Sequence, residues 1–114
     1  MDYALVYQWN RPIPGREAQG LEVLADVQVF FGKLFADGKI AEPIMLDTIG
    51  DSMMIIRGEM SFMFDLLKDE EYHLLMNKAL FCADKFEVQS YFTGELFDTT
   101  MGYYAKAGKE LAYL

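Results

Sequence analysis

The stretch Ile40 to Glu59, IAEPIMLDTIGDSMMIIRGE, sets two short apolar runs on either side of Gly50-Asp51. Glycine takes φ > 0 without steric penalty, so Gly50-Asp51 suits a two-residue hairpin loop of type II′, whose twist matches the strands it joins. That loop puts Ile49 opposite Ser52. Side chains alternate along a strand, so one face carries Met45, Asp47, Ile49, Met54 and Ile56, and the other Glu42, Ile44, Leu46, Met53, Ile55 and Arg57. Both faces are apolar at their centres. A small antiparallel sheet normally wets one face, so two apolar faces call for two covers, and a chain of 114 residues has helices for one. A second copy of the chain is the expected other.

The rest of the chain supplies the first cover. Tyr3 to Trp9, YALVYQW, is aromatic and β-branched and reads as a strand that the two prolines of NRPIPG terminate. From Arg16 to Ala36 the period becomes helical, with Leu21, Leu24, Val27, Gln28, Phe31, Leu34 and Phe35 on one broad stripe and Gly38 as the C′ stop. After the hairpin, Ser61 is placed to cap one helical turn, and Asp69-Glu70-Glu71 marks a new helix start with a break near Lys68. That second helix runs to about Ala83. Phe86 to Thr93 is a strand with Phe86, Val88, Ser90 and Phe92 on one side. The tail, about residues 95–112, places Phe97, Met101, Tyr104, Gly108 and Leu111 at helical spacing and is expected to dock.

The order β-α-β-β-α-β plus a helix is the ferredoxin-like arrangement of the α+β class, with one four-stranded antiparallel sheet in a single domain over residues 1–114. Right-handed crossovers are taken to make the first and third strands parallel central neighbours, with the second and fourth at the edges. Dimerisation sheet against sheet then buries the bare face.

Composition narrows the function classes. Apolar residues make up 53% of the chain when tyrosine is counted, and the proportion stays above the usual ~45–50% when glycine is counted instead. The formal charge is −8, with no cluster of lysine and arginine. Nucleic acid and anionic membranes both need a concentrated positive footprint, so neither is an expected partner. One cysteine, Cys82, excludes an internal disulfide and a cysteine-based metal site. The start, MDYALVYQWNRP, lacks a basic n-region, and no apolar run is long enough to span a bilayer. The expected location is the cytoplasm.

Three segments carry a resemblance: YALVYQWNRPIPGRE as strand, turn and helix start, GKLFADGKI before the hairpin, and DEEYHLLMNKALFCADKFEVQSYFTGE as helix and last strand. Over most of residues 2–94 they resemble the dimeric α+β barrel superfamily, which includes antibiotic-biosynthesis-monooxygenase-like and YCII-like domains. The chain looks most like small bacterial members of unassigned activity. The resemblance implies a homodimeric barrel. YCII-like proteins carry a His–Asp pair, whereas the first helix here offers Asp26-Val27-Gln28 without histidine. Monooxygenase-like members use an enclosed pocket and need no cofactor, and none is expected here.

Five residues are candidates for a ligand site: Tyr7, Trp9, Glu42, Arg57 and His73. Arg57 ends an apolar strand with Glu42 diagonal to it, and an arginine at a cavity mouth grips a carboxylate or phosphate bidentately. With parallel first and third strands, Trp9 and Asn10 share its sheet end, giving a Trp-Arg-Glu cluster for a planar acidic ligand. The plainer reading is an Arg–Glu pair at the sheet end or across the dimer. His73 is the one histidine and hence the natural base near neutral pH; its plainer reading is an exposed helix histidine. It cannot assemble a typical zinc site with scattered carboxylates, and no metal is expected. Tyr3, Tyr7, Trp9 and Tyr91 could line a pocket or be core. No catalytic residue is assigned. The functions in view are a small-molecule-binding homodimer, or a cofactor-independent monooxygenase-like or isomerase-like enzyme using the same cavity.

Overall fold

A computed structural model describes residues 1–114. Strands β1 (Tyr3–Trp9), β2 (Ile44–Thr48), β3 (Asp51–Gly58) and β4 (Glu87–Phe92) form one sheet in the order β2-β3-β1-β4. Helices α1 (Glu17–Ala36), α2 (Met60–Leu66) and α3 (Glu70–Cys82) accompany it, and α4 (Gly94–Glu110) follows. The expected α+β, ferredoxin-like fold is therefore present.

One expectation about direction is corrected: β1 and β3 are antiparallel. The first helix returns the chain so that β2 runs with β1, and the hairpin then reverses β3 before it enters between them. All three neighbouring pairs are antiparallel as a result.

The hairpin loop is corrected by one residue. Thr48 pairs with Asp51 and Asp47 with Ser52, so the two-residue loop is Ile49-Gly50. Gly50 has φ +96° while Ile49 keeps a negative φ. Positive φ at the second loop position is the arrangement of a type II turn, not II′. Pairing thus slides by two positions relative to an Ile49–Ser52 contact. An even slide preserves side-chain parity, so the two faces keep their expected members.

Tyr3, Leu5 and Tyr7 of β1, with Met54 and Ile56 of β3, turn toward the helices and are buried there with Val27, Phe31, Met63, Tyr72 and Leu75. Tyr7 and Phe31 are both 0% exposed, their rings 5.9 Å apart, and Phe30 meets Phe31 edge-on at 5.1 Å. The buried line of α1 runs through Val27 and Phe31. Leu21 and Phe35 lie off it and are exposed, at 66% and 45%.

The opposite sheet face has no cover. Val6, Ile44, Leu46, Met53, Ile55 and Tyr91 point to it by register, and Leu46 and Tyr91 are about half exposed, at 49% and 47%. Tyr7 does not belong there: it sits in the helix-covered core. Ala4 shares the open face yet is only 3% exposed, since its partners Arg57 and Tyr91 flank it.

Two helix starts differ in how they are capped. At α3 the Asp69 carboxylate accepts from Tyr72 N at 3.0 Å, as its sequence implies. At α2 the N-cap position is Glu59, and Ser61 does not cap. Instead Asp2 Oδ1 accepts from Met60 N at 2.8 Å, tying the start of β1 to the start of that helix.

The tail also departs from expectation. It forms α4, but no residue of α4 is buried. The radius of gyration is 16.9 Å and the longest extent 55 Å, against about 13 Å expected for a compact chain of this length. The helix projects from the body. None of the helices is long and apolar enough to cross a membrane.

Candidate functional site

A half-open cavity of about 310 Å³ lies beneath the helix-covered face of the sheet, at the end where the hairpin tip meets the β1–α1 loop. Tyr7 and Trp9 form its floor with Met54. Leu24 and Val27 of α1, Met76 and Ala79 of α3, and Phe86 complete apolar walls. Asn10, Arg11, Asp47, Thr48, Asp51 and Ser52 gather on its polar side. The volume is near the lower end of the roughly 300–1,000 Å³ that small-molecule sites occupy, and apolar walls with a few converging polar groups are their usual make-up.

Local sequence explains the opening. Trp9 ends β1, and the prolines of NRPIPG carry the chain off the sheet before α1 begins at Glu17. Pro12 passes close to Gly20, where a Cβ would stand 3.3 Å from the proline ring. Glycine eases this close approach of loop and helix, where a larger residue would push the proline ring back by a few tenths of an ångström. On the polar side Ser52 Oγ donates to Asp47 Oδ1 at 2.6 Å, a cross-strand pair that holds that carboxylate in place. Arg11 has no carboxylate within 4 Å, the one ion pair of the chain being the Met1 amino group with Glu59 at 3.7 Å.

Behind the floor, Tyr7 Oη and Tyr72 Oη share a hydrogen bond of 2.7 Å in which either hydroxyl can donate. Burial pushes the Tyr7 hydroxyl well above the usual tyrosine range, reinforced by the neighbouring Tyr72. Tyr72 is also raised, again by burial first, with the bond from Tyr7 pulling the other way. Both are neutral phenols at physiological pH. As a pair they can hold or relay a hydrogen bond but cannot supply a base.

The five candidate residues are not brought together. Tyr7 and Trp9 line the cavity. Arg57 pairs with Ala4, whereas Trp9 pairs with Ser52, so Arg57 and Trp9 occupy opposite ends and opposite faces of the sheet. The Trp-Arg-Glu cluster followed from a parallel β1–β3 pair and goes with it. Glu42 is exposed just before β2, and no ion pair joins it to Arg57. His73 is exposed on α3, where its Nε2 contacts the Leu67 carbonyl and its ring meets Tyr72 edge-on. No group of three or more His, Cys, Asp or Glu side chains is placed to hold a metal. Cys82, free and half-buried, lies in the cavity wall.

Residues that the sequence did not single out include Tyr72 and Arg11. Tyr72 stands three, four and seven positions before the buried Leu75, Met76 and Ala79, so helical spacing alone could have placed it inside. Arg11 carried no such signal, since its position depends on where the hairpin tip lies.

No family model and no curated protein sequence matches the chain. Solved structures share its fold. SnoaB, a cofactor-independent oxygenase from Streptomyces nogalater, superposes with a TM-score of 0.59 at 12% identity, over 82% of this chain and 93% of that one. NE2512, a protein of unknown function from Nitrosomonas europaea, does so with a TM-score of 0.56 at 15% identity, over 81% and 88%. At these identities the likeness is one of fold.

Proposed function

We propose that this chain is a cytoplasmic homodimer, paired through the open face of its sheet, that binds one small apolar or aromatic molecule per copy in the cavity beneath the other face. The observation that carries the binding is the cavity: a half-open, mainly apolar hollow floored by Tyr7 and Trp9 with its polar groups gathered on one side. A flat aromatic ring would stack on Trp9 and leave hydroxyl or carbonyl substituents at Asn10, Arg11 and Ser52. Arg57 and Glu42 belong in this reading to the dimer contact, and His73 to the outer surface. The pairing rests on the uncovered residues around Leu46 and Ile55.

Trp9 is the single tryptophan of the chain, which makes its fluorescence a clean reporter. Titration with a panel of naphthols, quinols and hydroxylated aromatics is expected to give a saturable change at one site per chain, and Leu24→Trp, which fills the cavity, to block it in competition measured by calorimetry. A panel that leaves Trp9 fluorescence unchanged would overturn the binding reading. A second reading is an oxygenase-like or isomerase-like enzyme working without cofactor in this cavity. The fold shared with a cofactor-independent oxygenase favours it. Oxygen uptake or product formation with the same panel, abolished in the Leu24→Trp variant, would establish turnover.

A further inference from the structure

We infer that α4 is an arm whose apolar seam packs on a second copy of the chain, and that the pairing proposed above is incomplete without it. Phe97, Met101, Tyr104, Gly108 and Leu111 follow one another at intervals of four, three, four and three. That is the spacing of a helix seam built to meet another protein surface over about 20 Å. Glu95, Asp98, Lys106 and Lys109 occupy the opposite side. Within its own chain Leu114 folds back onto Gly108, but the large side chains of the seam stay open: Phe97 is 51% exposed, Met101 46%, Tyr104 70% and Leu111 65%.

The area identifies the occupant. A stable interface takes about 800 Å² from each partner. The open sheet face offers six apolar side chains, half exposed or less, or roughly 300–400 Å². Phe97, Met101, Tyr104 and Leu111 of the seam, all about half exposed or more, add roughly 450 Å². Neither patch reaches a standard interface by itself; both together do, and the same second copy can cover both. A lipid surface fits less well, because the polar side of α4 mixes acids with its lysines and lacks the basic face such helices use. A 17-residue helix without packing is also marginal in water, so the arm's helicity should depend on the pairing.

Sedimentation equilibrium and light scattering of the full chain test this. The parent is expected to be a dimer at low micromolar concentration. Met101→Glu with Tyr104→Glu should raise the dissociation constant by about a hundredfold or more, since both charges would be buried unpaired. Lys106→Glu on the polar side should leave it within about threefold. A dimer unmoved by the seam changes but dissociated by Leu46→Glu overturns the arm and leaves the sheet contact standing. Loss of the dimer with the seam changes but not with Leu46→Glu supports the arm and overturns the sheet contact. A parent monomer, or a seam that binds vesicles in its place, overturns the arm.

Discussion

Replacing Tyr7 by Phe removes one hydroxyl from a pair that meets in the core, where Tyr7 is 0% and Tyr72 3% exposed. The ring stays, so packing against Phe31 and Phe86 is kept. What changes is the Tyr72 hydroxyl, left without its 2.7 Å partner. An orphaned buried hydroxyl costs about 1–3 kcal/mol, whereas removing both partners at constant shape is close to neutral. Tyr7→Phe should therefore lower Tm by about 4–12 °C for a chain of this length, and Tyr7→Phe with Tyr72→Phe should recover most of that fall. Thermal and urea unfolding of the parent, both single variants and the double variant complete the cycle. Additive losses, with the double variant the least stable, would refute the pairing. The pH dependence gives a second readout. Unfolded tyrosine ionises near 10.0, while the folded hydroxyls are held protonated above that value. A raised folded value means the contribution is complete below about pH 10 and is lost as pH rises past it. The parent should lose stability above pH 10 more steeply than the double variant.

Three further outcomes test the fold. Gly50→Val should cost about 1–2 kcal/mol through its φ of +96° alone, because a Cβ there meets nothing nearer than Arg11 at 3.9 Å; Gly50→Asn should cost less, and equal stability of all three in urea titration would refute the turn. Met54→Glu puts a charge where the side chain is 2% exposed and should unfold the chain, whereas Leu46→Glu on the open face should leave monomer with a near-parental circular dichroism spectrum, or aggregate. Asp2→Ala should cost about 0.5–2 kcal/mol by freeing Met60 N, and a variant as stable as the parent would mean that the N-terminal strand does not cap α2.

How much of this was legible in the sequence follows from the range of each interaction. Element order, the break at Lys68, the Asp69 cap and the stop at Gly38 are set by residues within a turn of one another, and all are present in the fold. The two hairpin faces survived a misplaced loop because parity is insensitive to a slide of two. Strand direction was misjudged because it depends on counting reversals along the whole chain, and that one inversion carried Arg57 from beside Trp9 to the far end of the sheet. The cap on α2 comes from 58 residues away, and nothing near Met60 announces it.

The tail shows a different limit. An amphipathic stripe such as Phe97 to Leu111 states that a helix has a buried side but not which surface buries it, and the nearest surface in sequence is not obliged to be the one that does. The same holds for the alternation of Ile44, Leu46, Met53 and Ile55 on the sheet. Apolar periodicity specifies demand for a cover; only the connections and lengths of the chain decide whether its own elements can meet it. Here α1 to α3 are consumed by one sheet face, and α4 leaves from the edge strand β4 at the end away from the cavity. Two unmet demands in one short chain are the reason to place assembly before ligand chemistry in testing what it does: a cavity whose floor is the sheet keeps its shape only as far as the sheet does, and the stiffness of that sheet depends on whatever lies against its other face.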